Sequence, residues 1–333
     1  MNYLFGPVPS RRLGRSLGID VIPPKTCSLD CVYCESGRTT HLSVRKRDFV
    51  PPRVVMKQLA DFFRDHPEGA DVLTFSSAGE PALYESLGEL IGLIKAEYPQ
   101  YPLVVLTNGT LLWDSQVRRA LLQADRVVPS LDAGTPGTFV KVNRPHPELA
   151  FDLYLEGILA FRKEYRGEFH LEVLLVEGMN DGEDELAAIR ALVDRIRPDR
   201  LELNTVVRPP ALAGIRGLSR EAMERASRAF PPEITSIIGE FKSPAKPEFS
   251  GALDQRVTDM VLRRPCTAGD MADSLGVDPV RLQGVLNMLI QKGVLDRYKY
   301  SGLEYYRIAA VEKGPASVAA PCPGCSGGPE RSH

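Results

Sequence analysis

The chain has 333 residues, of which 43% are hydrophobic and 25% charged, and its net charge is −2. This length can bury a large core and is sufficient for two domains. These fractions are those of an ordinary soluble protein, and no apolar run reaches the roughly 18–20 residues of a membrane-spanning helix. The first residues lack the basic-then-apolar layout of a signal peptide, so we expect a cytoplasmic protein with no membrane partner.

Charge is distributed unevenly along the chain. Residues 1–60 contain ten Lys or Arg and four Asp or Glu, which gives this segment a net charge of +6. Its positive field could attract an anionic substrate such as a phosphate. A solvated basic surface is an equally good interpretation.

Short apolar runs alternate with segments of helical period from residue 16 to about residue 245. The predicted strands are 17–22, 71–75, 103–106, 126–130, 169–176 and 200–205. The predicted helices are 52–65, 83–97, 114–123, 148–165, 183–196 and 218–229. Strands that are each followed by a helix predict a parallel sheet with right-handed crossovers. Because a closed barrel needs eight such units, we expect an α/β fold with a partial (βα)6, TIM-like barrel over residues 1–240. An open doubly wound sheet would produce the same order.

The pattern changes after residues 231–250, which are rich in Pro, Ser and Lys and typical of a linker. Three short amphipathic helices are predicted at 253–262, 268–275 and 279–291. The alternation that follows them predicts a hairpin that turns at Ser301-Gly302. These elements predict a winged-helix domain within residues 241–312, and residues 313–333 are expected to form a flexible, cysteine-containing tail.

A winged helix usually binds nucleic acid, with one helix in a groove. The polar residues that the third predicted helix would present are Arg281, Gln283, Asn287, Gln291 and Lys292. Residues 251–310 contain eight basic and seven acidic residues, a net charge of only +1, which is small for binding to a phosphate backbone. Docking of a peptide or protein, or packing against the barrel, are alternatives of equal standing.

Six cysteines fall into three groups, and tight clusters in a cytosolic chain indicate metal or redox chemistry rather than disulfides. Cys322 and Cys325 have the spacing of a redox motif or of half a metal site. Cys266 stands alone in the small domain, where we expect it to pack as an apolar residue.

Cys27, Cys31 and Cys34 follow the first predicted strand and therefore lie at the end of the sheet where βα barrels place their active sites. Three soft thiolates at this spacing can bind one cubane iron–sulfur cluster. They leave the fourth iron without a protein ligand, and an open coordination position is typical of a reactive metal site. A zinc site completed by His41, or three unrelated buried thiols, are the alternatives.

This Cx3Cx2C spacing, with Tyr33 before the last cysteine, resembles the signature of the radical S-adenosylmethionine (SAM) superfamily. The resemblance implies that Cys27, Cys31 and Cys34 bind a [4Fe–4S] cluster whose open iron chelates SAM. It also implies reductive cleavage of SAM to methionine and a 5′-deoxyadenosyl radical that abstracts hydrogen from a substrate. An electron donor such as flavodoxin or ferredoxin is implied as a partner. The cofactors carry the hard chemistry, and the protein supplies geometry and shelter.

Motifs at the following predicted strand ends resemble the SAM-binding segments of this superfamily. By this resemblance, Gly79 and Glu80 of the Ser77–Pro81 segment hold the SAM amino group. A carboxylate is a suitable partner for an ammonium group, and glycine permits close backbone approach. The other cofactor contacts that the resemblance implies are Tyr33, Thr107, Asn108, Ser130, Asp132, Asn204 and Val206. Taken singly, such segments are only turns.

Residues 3–215 more closely resemble a subgroup that includes the wyosine-type tRNA-modifying enzymes. The segments that carry this resemblance are Phe5–Gly14, Asn143–Pro147 and Asn204–Pro210. The wyosine-forming enzymes have a second set of cysteines ahead of the triad, whereas none of the 26 residues before Cys27 is a cysteine.

Four arginines are candidate substrate contacts, because a guanidinium group binds phosphate or carboxylate in a bidentate manner. They are Arg11, Arg12, Arg144 and Arg208, for which surface or interdomain salt bridges are the alternative. The sequence thus predicts a radical SAM enzyme that acts on tRNA, a peptide or a small anion. The alternative from another class is an iron–sulfur redox sensor whose winged helix binds DNA, although a sensor needs no glycine–glutamate motif.

Overall fold

The computed structural model describes residues 2–10, 13–67, 69–238 and 253–309. The strands before residue 239 are β1 (Leu4–Ser10), β2 (Gly14–Ile19), β3 (Thr26–Cys27), β4 (His41–Leu42), β5 (Val72–Phe75), β6 (Leu103–Thr107), β7 (Arg126–Pro129), β8 (Glu168–Leu175), β9 (Arg200–Thr205) and β10 (Thr235–Ile237). The helices of the same region are α1 (Pro52–Asp65), α2 (Leu87–Glu97), α3 (Ser115–Leu121), α4 (Pro136–Asn143), α5 (Phe151–Glu164), α6 (Glu183–Ile196) and α7 (Arg220–Ser227).

Eight of these strands form one sheet in the order β1-β2-β5-β6-β7-β8-β9-β10. Neighbouring strands from β2 to β10 pair in parallel, whereas β1 pairs with β2 in antiparallel orientation. The sheet stays open, because β1 and β10 occupy its two edges. An α/β fold with a mostly parallel sheet was the expectation, and this part of it is confirmed.

The edges of the sheet differ from the prediction. Strand β10 lies inside residues 231–250, so the assignment of a linker is wrong at Thr235–Ile237, which pair with β9. A three-residue edge strand is too short for periodicity to reveal. Strand β1 and the short helix α4 were also not expected. The side chain of Thr135 caps α4 by accepting a hydrogen bond from the Thr138 N–H at 3.3 Å.

The second predicted helix begins at Leu87 rather than at residue 83. The Glu80 carboxylate accepts a hydrogen bond from the Ala82 N–H at 2.9 Å and starts a separate 3-10 turn over Pro81–Leu83. Tyr84 is then extended and interrupts the helical backbone. The Glu80 side chain therefore caps the turn that precedes α2.

Side chains alternate between the two faces of the sheet, as the pleat requires. On β8, Phe169, Leu171 and Val173 belong to the fully buried core under the helices. Burial of each such side chain contributes about 1.5–3 kcal/mol. The intervening His170 lies on the other face, where its Nδ1 is 2.8 Å from Oε1 of the buried Glu202. The face of the sheet that is turned away from the helices is therefore partly polar.

Residues 253–309, which we call the C-terminal module, have a hydrophobic core of their own. Their elements are α8 (Leu253–Arg263), β11 (Cys266–Thr267), α9 (Ala268–Leu275), α10 (Pro279–Gln291), β12 (Leu295–Tyr300) and β13 (Leu303–Ile308). The three strands form an antiparallel sheet in the order β11-β13-β12. Three predicted helices and a hairpin with its turn at Ser301-Gly302 are thus confirmed, and the buried Cys266 packs in the core as expected.

None of the helices in the described ranges is long and apolar enough to cross a membrane. Arg11, Arg12, Cys322 and Cys325 lie outside the described residues.

Candidate active site

Residues 26–42, which we call the cysteine loop, lie between β2 and α1, and the pairing of β3 with β4 joins the two ends of the loop. Cys27, Cys31 and Cys34 are all partly buried free thiols on this loop. The loop therefore lies at the carboxyl end of β2, where the sequence places it.

The segment after β5 holds the start of the cysteine loop through backbone hydrogen bonds. The Lys25 N–H donates to the Ala78 carbonyl at 2.7 Å, and the Glu80 N–H donates to the Thr26 carbonyl at 3.1 Å. A Cβ atom on Gly79 would lie only 2.1 Å from the Thr26 carbonyl oxygen. Glycine is therefore required at position 79 because the loop backbone lies directly against it.

The end of α4 holds the middle of the same loop. The Asp30 N–H donates to the Asn143 carbonyl at 3.1 Å, and the Val32 N–H donates to the Val142 carbonyl at 3.0 Å. Arg144 has a left-handed backbone (φ 48°), and its Nη2 lies 3.1 Å from the Asp30 carboxylate. Arg144, a predicted substrate contact, is thus engaged in an ion pair with the loop.

Two of the three sulfur atoms have side-chain amide donors. Asn108 Nδ2 donates to Cys27 Sγ, and Asn143 Nδ2 donates to Cys31 Sγ, both at 3.4 Å. Burial and the nearby Glu80 raise the pKa of Cys27 to about 12, and burial holds the pKa of Cys31 well above its usual range. The metal-free thiols are therefore protonated, and ionising them in place requires a cationic partner.

This donor set fits an iron–sulfur cluster better than a single zinc ion. A cubane binds each cysteine to a different iron atom, so its ligands need not converge on one point. Within the described ranges, no three or more His, Cys, Asp and Glu side chains are arranged to hold one metal ion. His41, the fourth ligand that the zinc interpretation needs, is exposed on β4.

Glu80 is buried and acts as an acceptor for three groups of the chain. Its Oε1 accepts hydrogen bonds from Thr107 Oγ1 at 2.6 Å and from the Ala82 N–H, and its Oε2 accepts one from the Asn108 N–H at 2.7 Å. Burial raises the pKa of Glu80, although these bonds oppose the shift. The carboxylate thereby connects the ends of β5 and β6 beside Cys27.

Asp132 is also buried, but it lies behind the cysteine loop. Its Oδ2 accepts hydrogen bonds from the Tyr33 hydroxyl and from Asn143 Nδ2 (2.7 Å), and its Oδ1 accepts one from the Leu174 N–H (2.9 Å). Burial raises the pKa of Asp132 to about 6. This predicted cofactor contact therefore holds the loop and does not line the cavity described next.

A cavity of about 1010 Å³ opens at the carboxyl ends of the strands. The predicted site residues that line it are Cys27, Tyr33, Cys34, Gly79, Glu80, Thr107, Asn108, Ser130, Asn204, Val206 and Arg208. Small-molecule sites usually occupy roughly 300–1,000 Å³, so this volume can hold SAM and a further small group. Cys31, Asp132 and Arg144 do not line the cavity.

Two residues of the site were missing from the sequence prediction. Asn143 carries the donor to Cys31, and the only signal for it was its place beside Arg144 in the Asn143–Pro147 segment. Glu35 forms an ion pair with Arg208, with Oε2 2.9 Å from Nη1. Nothing in the local sequence connects these two residues, which are 173 positions apart.

The match that decides the family covers the cysteine loop and strands β5 to β8 of the sheet. Residues 21–189, about half of the chain, match the Radical SAM superfamily. The chain belongs to the radical SAM superfamily. This superfamily uses a [4Fe–4S] cluster and SAM, and membership gives no support to the alternative of a DNA-binding sensor.

Sequence relatives of the radical SAM chain span nearly its whole length. A UPF0026 protein of Methanocaldococcus jannaschii is 31% identical over 92% of the chain and 96% of its own length. One from Helicobacter pylori strain J99 is 32% identical over 91% of the chain and 96% of its own length. The chain therefore also belongs to the UPF0026 family, whose name specifies no reaction.

The protein named GTPase Obg of Brachyspira hyodysenteriae is 34% identical over 92% of the chain, which spans only 45% of that protein. The present sequence contains no GxxxxGK[S/T] phosphate-binding segment. Among solved structures, a radical SAM methyltransferase from Sphaerobacter thermophilus matches with a TM-score of 0.53 at 17% identity, over 67% of this chain and 66% of that one. This similarity establishes the radical SAM fold. The resemblance to the wyosine-type subgroup is not confirmed.

Proposed function

We propose that Cys27, Cys31 and Cys34 hold the [4Fe–4S] cluster and that SAM binds in the adjoining cavity. The observation that carries this proposal is that the cysteine loop borders a cavity of about 1010 Å³ together with the ends of β5, β6, β7 and β9. When bound, the two cofactors supply reductive SAM cleavage and hydrogen abstraction from a substrate.

The chain's own residues hold the loop and its sulfur atoms in place. Asn108 and Asn143 provide the N–H donors to Cys27 and Cys31, and such bonds tune the reduction potential of a cluster. Asp132 orients Asn143 with the same carboxylate oxygen that accepts the Tyr33 hydroxyl. Mutual support of this kind preorganises a site before its ligands arrive.

SAM contacts are proposed on the cavity wall. Gly79 and Glu80 would lie beside the SAM amino group, and the segment at Asn204 and Val206 would flank the adenine. The backbone of Ser130 is held in position, since its carbonyl accepts a hydrogen bond from the buried Tyr154 hydroxyl. These polar groups border a partly enclosed space, where a charged ligand is held by fixed dipoles rather than by water.

Of the predicted substrate contacts that the structure describes, Arg208 lines the cavity and Arg144 does not. The Arg208 side chain is only 5% exposed. We propose that it faces an anionic group of the substrate, which in the sequence interpretation is tRNA, a peptide or a small anion. A low-potential electron donor of the flavodoxin or ferredoxin type is proposed as the partner.

We also propose a division into a barrel domain (residues 1–240), a winged-helix-like domain (241–312) and a tail (313–333). The support for the second domain is the separate core of the C-terminal module and its three helices followed by a hairpin. The polar residues of α10 are exposed, with Gln283 Nε2 donating to Asn287 Oδ1 at 3.1 Å.

The test of this function is SAM turnover. Anaerobically reconstituted and reduced protein is incubated with SAM, and 5′-deoxyadenosine and methionine are measured by chromatography. We expect both products from the wild-type protein and neither from Cys27→Ala, with Cys266→Ala as a control that leaves turnover intact. A reduced, cluster-loaded protein that never cleaves SAM would contradict the proposal.

A further inference from the structure

The C-terminal module packs against the active-site end of the sheet. The Arg263 guanidinium lies 4.3 Å from the centre of the Phe5 ring, and its Nε is 3.5 Å from the Asp20 carboxylate. The Tyr305 hydroxyl donates to the Val207 carbonyl at 3.3 Å. These contacts reach β1, the end of β2 and the segment after β9, so the module touches the barrel mouth from several sides.

One contact of the module reaches the cysteine loop itself. Glu35 directly follows Cys34, and its two carboxylate oxygens accept from different guanidinium groups. Arg208 Nη1 lies 2.9 Å from Oε2, and Arg264 Nη1, from the module, lies 3.3 Å from Oε1. The side chains of Arg208 and Arg264 are 5% and 24% exposed, and that of Glu35 is 41% exposed. Charge-assisted hydrogen bonds in such partly desolvated settings are stronger than those on an open surface.

Helix α8 also contributes to the cavity that the cysteines border. The residues of α8 on its lining are Gln255, Arg256, Asp259, Met260 and Arg263, with Arg264 just beyond the helix. Cys27 and Cys34 line the same cavity. Substrate and SAM therefore enter a space that the barrel does not enclose alone.

We propose that the C-terminal module is part of the active site, with α8 as the outer wall of the substrate chamber and Arg264 as a positioning residue. Arg264 acts through Glu35, which it holds in place beside Cys34. This inference rests on the proposed function only in taking Cys34 as a cluster ligand. The module therefore helps to shape the cysteine loop and the substrate chamber, and its role is not limited to binding substrate at a separate site.

The test uses the full-length, cluster-free protein and measures hydrogen exchange. Two amides of the loop report on its opening, since the Cys34 N–H donates to the Cys31 carbonyl and the Gly37 N–H to the Cys34 carbonyl. We expect Arg264→Ala to accelerate exchange in residues 27–38 about tenfold, which corresponds to roughly 1.4 kcal/mol. Arg264→Lys, which keeps the charge, should restore most of the protection.

The matched control is Arg307→Ala, which removes an arginine from the same module. Arg307 pairs with Asp296 at 2.8 Å within the hairpin, where the two side chains are 54% and 47% exposed. We expect wild-type exchange in residues 27–38 for this variant. Glu35→Gln should reproduce the acceleration of Arg264→Ala, because it removes the charge that both arginines contact, and it does so without altering the module.

A second readout is access to the reconstituted cluster. A ferrous chelator should bleach the cluster absorbance about tenfold faster in Arg264→Ala than in the wild-type protein or Arg307→Ala. Unchanged exchange in residues 27–38, or acceleration confined to the module, would overturn the positioning role. If the wild-type protein binds no iron, the proposed function fails, while the exchange experiment still decides whether Arg264 holds the loop.

Discussion

Asn143 donates a hydrogen bond to the Sγ of Cys31 at 3.4 Å with the same Nδ2 atom that lies 2.7 Å from the Asp132 carboxylate. A buried charge thus fixes the amide, and the amide in turn fixes a sulfur atom. Asn108 repeats the arrangement at Cys27, where its backbone N–H donates to Glu80. Each of these two cysteines is therefore connected through an asparagine to a buried carboxylate.

Asn143→Ala should shift the cluster to a more negative reduction potential. The amide stabilises negative charge on sulfur, and the reduced cluster carries more of it, so losing the donor disfavours reduction. A bond worth about 1 kcal/mol corresponds to a shift on the order of 50 mV for one electron. Potentiometric titration followed by electron paramagnetic resonance measures the potential. Ser43→Ala, which removes a hydroxyl that accepts a hydrogen bond from the Arg45 N–H, should leave the potential unchanged. Equal potentials in all three proteins would contradict this role for Asn143.

Glu80→Gln should weaken SAM binding by roughly ten- to a hundredfold while the iron content stays the same. The substitution removes the charge proposed to face the SAM ammonium, a contact worth about 1.5–3 kcal/mol. Anaerobic calorimetry with SAM measures the affinity, and Glu89→Gln, exposed on α2, is the matched control. An unchanged dissociation constant would mean that Glu80 serves only to connect β5 and β6.

Gly79→Ala should destabilise the cysteine loop. The new Cβ would meet the Thr26 carbonyl oxygen, a backbone atom, at 2.1 Å, and overpacking of this kind costs about 1–3 kcal/mol. Gly137→Ala is a clean control, since a Cβ at this position meets no atom within 4 Å and alanine favours the helix it lies in. Denaturant unfolding of both variants should separate them, and equal midpoints would mean that the loop moves aside without cost.

Asp132 should make the metal-free protein less stable as the pH rises from about 4 to about 6. Its pKa is raised from 3.8 to about 6 in the folded chain, so the native state binds the extra proton in this window and loses that advantage as the proton leaves. The difference is on the order of 3 kcal/mol. Measuring the unfolding free energies of the wild-type protein and Asp132→Asn at several pH values isolates this contribution. The unfolding free energy of the variant should increase relative to that of the wild type as the pH rises. A difference that stays constant with pH would contradict the raised pKa of Asp132.

The parts of the site that the sequence predicts are those encoded locally. The spacing of Cys27, Cys31 and Cys34 and their place after a strand are visible in a short segment, as is the position of Gly79 and Glu80 after the next strand. Parallel strands then bring these ends together at one edge of the sheet. The periodicity of strands and helices is therefore sufficient to predict most of the sheet and the helices that follow its strands.

The sequence gives no comparable signal for pairs of residues that are far apart along the chain and come into contact only in the fold. The Tyr33 hydroxyl that donates to Asp132 lies 99 positions away along the chain. Arg264 and Glu35 are 229 positions apart, and neither stands in a motif that names the other. The packing of the C-terminal module on the barrel was one of three open alternatives for the same reason, because docking depends on surfaces that assemble only after both parts fold.

The most direct test of the account is the iron and acid-labile sulfide content of the anaerobically reconstituted protein. We expect about four of each per chain, with an absorbance shoulder that bleaches on reduction by dithionite. Replacing Cys27, Cys31 and Cys34 together by Ala should abolish both, while Cys266→Ala keeps them. A stoichiometric zinc protein without iron, or a triple variant that retains the wild-type cluster, would contradict the central claim.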